Sequence, residues 1–177
     1  PRLAEHTLTH SHPFIRHWTI RLLGDDHLMT PTLRAKLIKL AESETNAEVR
    51  SCLAASCKRW AAKDSFPILA ALIRRDEDVN DKHIPLLLWW AIENKAVSDG
   101  PAVAKLLADK SIWETSMMQS HILKRLGQRF TADRTAANLK TAAKLLALAP
   151  TDADSDQLAA GMEEGLRGNA VQNPPKS

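Results

Sequence analysis

Tyrosine is absent from this 177-residue chain, and glycine is sparse, with 6 residues. Segments that alternate apolar and polar at period two are few, so little of the chain is expected as strand. There are 2 cysteines, Cys52 and Cys57. They lie five positions apart on one expected helix, which places them about 140° apart around its axis. That disfavours mutual pairing, and both read as small core residues rather than redox or metal groups. No apolar run is long enough to span a bilayer; the longest, Ile84 to Ile92, falls far short. A one-sided charge is also missing. The formal net charge is only +3 although the pI is near 9.0. That is too mild to imply nucleic acid without a concentrated patch. The opening Pro1-Arg2-Leu3-Ala4-Glu5 has neither an initiator Met nor a signal peptide. The chain therefore reads as cut from a longer protein, and its compartment is not legible.

What is present is the balance of an ordinary globular chain, 44% apolar and 25% charged. The length suits one domain with a real core. Local punctuation divides it into helices. His12-Pro13 opens the first clear one, which Gly24-Asp25-Asp26 closes. Thr30-Pro31 is an N-cap followed by proline at the first helical position. Leu33, Leu37, Leu40 and Ala41 then make an apolar stripe. Asn46 caps a helix carrying Val49, Leu53, Cys57 and Trp60. Ser65 and Pro67 are expected to start the next. Asp76 to Asp81 reads as an acidic loop. Ile84 to Asn94 is apolar on nearly every face, the pattern of a buried helix. Further helices are expected from Pro101, from Ser111 as a cap, and over Thr135 to Leu148. Thr151 to Ser155 is expected as a capping loop before Leu158, Met162 and Leu166. From Gly168 the chain turns polar, and residues 168–177 are expected to be a disordered tail.

A repeat is visible in this pattern. Ile15-Arg16 is followed by Val49-Arg50 and then by Ile84-Pro85, at nearly constant intervals. A second helix fills each interval. Two helices per unit of this length predict an all-α fold, an α-solenoid of HEAT-like antiparallel helix pairs over residues 1–167. One hairpin cannot bury its apolar faces alone, whereas stacked neighbours can.

His12-Pro13-x-x-Arg16-x-Trp18-x-x-Arg21-Leu22-Leu23-Gly24-Asp25 and Glu48-Val49-Arg50-Ser51-x-Leu53-Ala54-Ala55-Ser56 resemble HEAT helices. More distinctive are Asp81-Lys82-His83-Ile84-Pro85-Leu86-Leu87-Leu88-Trp89-Trp90-Ala91-Ile92-Glu93, Leu145-Leu146-Ala147-Leu148-Ala149-Pro150 and Leu158-Ala159-Ala160-Gly161-Met162-Glu163-Glu164. Together they resemble the HEAT-repeat module of the large multidomain haem-binding proteins of planctomycetes. Such proteins join a propeller-like membrane-bound dehydrogenase domain, a helical module and a c-type cytochrome domain. The resemblance implies a periplasmic or cell-envelope setting. A c-type haem needs Cys-x-x-Cys-His, which this chain lacks, so the haem of such a parent would be held elsewhere.

Several constellations invite chemistry. His6 and His10 have one-turn metal-ligand spacing, but no carboxylate or cysteine completes the set locally, so solvated or capping histidines are expected. Asp76 to Asp81 begins like a calcium loop. The positions that need Gly and Glu hold Asp81 and Leu87 instead. Arg16 and Arg50 could line a binding face, or form a ladder with acids and carbonyls of the next repeat. Lys58, Arg59 and Lys63 near Trp60 could touch phosphate, or simply complement a helix end. Trp89 and Trp90 with Glu93 suggest a base-binding DNA glycosylase. Adjacent residues point about 100° apart on a helix, however, so at least one Trp belongs to the core. No Ser-His-Asp order, phosphate loop or nucleotide fingerprint occurs.

The sequence thus predicts a non-enzymatic helical-repeat scaffold or protein-interaction module, and the resemblance implies that it is part of a larger haem-binding protein. It needs no cofactor and no metal. Its partners would be neighbouring domains of the parent or another protein, through Arg16, Arg50, His83, Trp89 and Trp90. The alternatives are a nucleic-acid-binding solenoid, including a DNA glycosylase, and an accessory domain docking a cytochrome domain for electron transfer.

Overall fold

The computed structural model describes residues 2–167, and the tail expected over 168–177 lies outside them. Among the described residues the chain is all-helical, with no strand. Ten α-helices follow in order: α1 Arg2–Thr7, α2 Pro13–Asp25, α3 Pro31–Ser43, α4 Ala47–Cys57, α5 Ala62–Ile73, α6 Ile84–Ser98, α7 Gly100–Leu107, α8 Leu123–Ala132, α9 Ala136–Leu148 and α10 Asp152–Leu166. They group into two compact units that divide between Asn94 and Lys95.

Local capping explains most of the boundaries. Thr30, Asn46 and Thr135 accept hydrogen bonds from Leu33, Val49 and Asn138 N–H, satisfying first-turn donors of α3, α4 and α9. Pro13 and Pro31 stand at helix starts, where a missing N–H costs nothing. Other boundaries differ from the sequence reading. α1 was not expected. α2 runs through Gly24 to Asp25 instead of stopping at the glycine. α5 starts at Ala62, so Pro67 lies inside the helix and Ser65 is not its cap. The cap of the segment leading into α8 is Thr115, whose hydroxyl accepts from Met118 N–H; Ser111 sits in a 3-10 turn led by Asp109. A π-turn, Met118–Ile122, widens the helix before α8. Thr151 is itself a cap, so α10 begins at Asp152 rather than after a loop.

In the first unit, α2 packs on α4 and α3 packs on α5. The α2–α4 contacts advance together along both helices. Cys52 Sγ donates to His17 O, Ser56 lies against Gly24, and the His27 ring bonds Arg59 O. The two helices are therefore parallel. Arg34 meets Asp64 and Arg75 reaches Ala41 and Glu42 carbonyls, so α3 and α5 are parallel in the same way. The core is filled by Leu33, Leu37, Leu53, Trp60, Leu69 and Leu72, all buried.

The second unit has a different centre. α8 and α10 are packed backbone to backbone. An added Cβ at Gly127 would overlap Leu158 O, and one at Gly161 would overlap Lys124 O. Thr131 reinforces the crossing by donating to Met162 O at 3.2 Å.

Candidate interaction surface

Arg16 and Arg50 hold matching positions in α2 and α4, each three residues after the helix start. Arg16 forms a fork with Glu44, Nε to Oε2 at 2.7 Å and Nη2 to Oε1 at 2.6 Å. Arg50 forms the same fork with Asp78, at 2.7 and 2.5 Å. Each acceptor lies 28 residues downstream of its arginine. Each arginine also donates to a carbonyl six residues upstream, His10 O at 2.7 Å and Glu44 O at 3.1 Å. Bidentate charge-assisted bonds of this kind are the strong ones. The hydrogen bond to Asp78 holds the Arg50 guanidinium firmly protonated despite its burial. Glu44 is buried at the end of α3. Burial alone would push its carboxyl up, but the Arg16 fork and the N–H of Asn46 together hold it below the ordinary range.

These geometries decide where the five expected contact residues fall. Arg50 is buried and spends its donors inside the chain, so it presents no surface; this corrects the expectation of a contact there. Arg16 is mostly covered and equally committed. Trp89 is 8% exposed and belongs to the core, while Trp90 is 44% exposed. The helix is therefore not buried on every face. Leu86 and Trp90 form an outward stripe of α6, with exposed His83 just ahead of its first residue. Asp81 fixes this helix start by accepting from His83 N–H and Ile84 N–H, at 2.8 and 2.9 Å. The bonds from Ile84 and then His83 lower the Asp81 carboxyl from its usual range.

The other constellations are occupied by structural bonds. α1 ends at Thr7, so His6 and His10 do not share a helix. His10 Nδ1 accepts from His12 N–H, and His12 Nδ1 accepts from Phe14 N–H to cap α2. Of the would-be calcium loop, Asp78 is held by Arg50 and Asp81 caps α6. Trp60 is buried and donates to Leu23 O, and Arg59 pairs with Asp25. Cys52 and Cys57 are buried thiols outside any disulfide, and burial pushes the Cys52 thiol up. Among the described residues, no three His, Cys, Asp or Glu side chains converge as a metal site, and no helix is long and apolar enough to cross a membrane.

One surface went unread in the sequence. An apolar groove of about 420 Å³ runs along α1 and α2, lined by Leu3, Phe14, Ile15, Trp18, Leu22 and Leu28 among others. Phe14 meets Trp18 edge to face at 6.1 Å, and the Arg21 guanidinium lies 5.6 Å from the Trp18 ring. The signal was available: Phe14, Trp18 and Leu22 recur at four-residue spacing on one helix. It was hidden because such a stripe ordinarily marks a core face. No family model matches the chain, and neither the curated proteins nor the solved structures contain a significant match to it.

Proposed function

We propose that the chain is a non-enzymatic helical-repeat scaffold, an α-solenoid of HEAT-like antiparallel pairs within a larger haem-binding protein. The observation that carries this reading is the duplicated arginine fork. Arg16–Glu44 and Arg50–Asp78 repeat the same arginine–carboxylate fork, the same 28-residue span and the same upstream carbonyl bond. A repeated lock of this kind supports stacked equivalent hairpins, whose role is to present surface rather than to assemble reacting groups. Of the histidines and carboxylates that could have done chemistry, His10, His12, Glu44, Asp78 and Asp81 are taken up in turns, caps and forks.

The contact surface of this scaffold is the Trp90 stripe of α6, with Leu86 and His83. An exposed Trp backed by a firmly seated neighbour suits an interface anchor. Its partners would be the domains adjoining it in the parent polypeptide. Titrating the chain with each of those domains tests this. Trp90→Ala should weaken binding by about tenfold or more, about 1.4 kcal/mol, while leaving thermal stability unchanged. Trp89→Ala, by contrast, should cost stability. If no adjoining domain binds, or if Trp90→Ala leaves affinity untouched, the reading fails. A sequence-indifferent duplex bound tightly at physiological salt would favour the nucleic-acid alternative instead.

A further inference from the structure

Left-handed backbone occurs at two non-glycine residues among those described, His27 at φ 52° and Arg134 at φ 51°. Each stands directly after a helix cap, His27 after Asp26 of α2 and Arg134 after Asp133 of α8. Glycine is favoured at this position, because a Cβ is crowded there. A costly backbone at a non-glycine residue points to work done by its side chain. Both side chains do the same thing. The His27 ring bonds Arg59 O, 32 residues on and just past the end of α4, at 2.9 Å. A carbonyl only accepts, so Nδ1 is the donor. Arg134 Nη2 donates to Gly165 O, 31 residues on in the last turn of α10, at 3.3 Å.

The opposite end of each pair is also held from the earlier helix. Gln119 Nε2 donates to Trp113 O, six residues upstream, at 2.8 Å and to Asp154 Oδ1 in the first turn of α10 at 2.6 Å. Arg16 likewise joins a carbonyl six residues upstream to Glu44, just ahead of α4. Gln119 and Arg16 each lie four residues after their caps, Thr115 and His12. The contacts Gln119–Asp154, Gly127–Leu158, Thr131–Met162 and Arg134–Gly165 advance together, so α8 and α10 are parallel, as α2 and α4 are.

We infer that α2 on α4 and α8 on α10 are one device built twice, a parallel pair in which the earlier helix clamps the later one at both ends. Arg16 and Gln119 are the front locks, and His27 and Arg134 are the rear latches. The inference rests on the scaffold reading above and deepens it, because two-ended clamping fixes the direction and register of each pair. Front locks hold carboxylates and rear latches hold carbonyls, so either end can be released while the other stays closed.

The test places His27→Gly, His27→Ala, Arg134→Gly and Arg134→Ala in the full chain and follows the urea midpoint and amide hydrogen exchange. At a left-handed position whose side chain is idle, glycine relieves the backbone and raises the midpoint. Here both glycine variants are expected to lower it. The alanine variants should lower it further, since they lose the bond and keep the crowding. Exchange should quicken by about threefold to tenfold in the last turn of α4 for the His27 variants and of α10 for the Arg134 variants. The first turns should stay as in the wild type. Gln119→Leu should give the reverse pattern in α10. The inference is overturned if the glycine variants keep or raise the midpoint, or if the quickening spreads evenly or falls on the first turns. Coupling of Arg16 with Glu44 tests the scaffold reading separately. If that coupling stands while the latches fail, only the clamp is lost; if it vanishes as well, both readings are lost.

Discussion

Glu44 joins two neighbouring helix starts. Its carboxylate takes the Arg16 fork and the Asn46 N–H, and its carbonyl takes Arg50. Because its folded pKa lies below the unfolded value, the unfolded state binds more protons as the pH falls. The stabilisation from Glu44 is thus present above the unfolded carboxylate value of about 4.3 and is lost as the pH drops through the folded one. Denaturant unfolding followed from neutral pH to about pH 3 should show this as a slope. Glu44→Gln should flatten that slope and lower stability at neutral pH, where a steep unchanged slope would assign the effect to other acids. At this scale the sequence was partly legible. Two Val-Arg or Ile-Arg pairs at one interval marked the arginines, but the acceptors Glu44 and Asp78 looked like ordinary loop acids. Nothing local distinguishes Asp78 from Asp76; only the fold brings one of them beneath Arg50.

Helix caps were the most readable elements. Ser/Thr/Asn before an apolar period has a fixed chemical reason, and Thr30, Asn46 and Thr135 obey it. Where tertiary packing overrode local preference, the reading failed. Ser65 and Pro67 together read as a helix start in the sequence, yet α5 carries Pro67 as its sixth residue. The third interval also drifts. Ile15 and Val49 are the third residues of α2 and α4, while Ile84 is the first of α6. Ile84 and Pro85 therefore do not continue the fork. α10 carries a small-x-x-x-small spacing, Gly161 and Gly165, of which only Gly161 falls within the resemblance. Here it governs packing. Alanine is the better helix former by about 1 kcal/mol, so Gly161→Ala on an isolated helix would stabilise it. Against the Lys124 carbonyl it should instead destabilise the protein by about 1–3 kcal/mol, read from the urea midpoint. A neutral or stabilising result would mean that α8 and α10 do not touch at their backbones.

For the whole chain, composition and period gave the helical class, and the described residues are helical throughout their regular structure. Function was less legible for a physical reason. A surface that binds another protein is made of the same Leu, Trp and Phe that make a core, and periodicity does not say which face is left open. The Trp90 stripe was found because two adjacent Trp cannot both point inward. The α2 groove was missed because its α2 members, Phe14, Trp18 and Leu22, fit the stripe of a core helix.

The central claim is that the two arginine forks are equivalent locks of a repeated unit. Double-mutant cycles on Arg50→Met with Asp78→Asn, and on Arg16→Met with Glu44→Gln, measure it directly. The account predicts that each pair couples favourably, with about 1–3 kcal/mol at the more buried Arg50–Asp78 pair and less at Arg16–Glu44. Coupling near zero at both pairs, or at one pair alone, would contradict it.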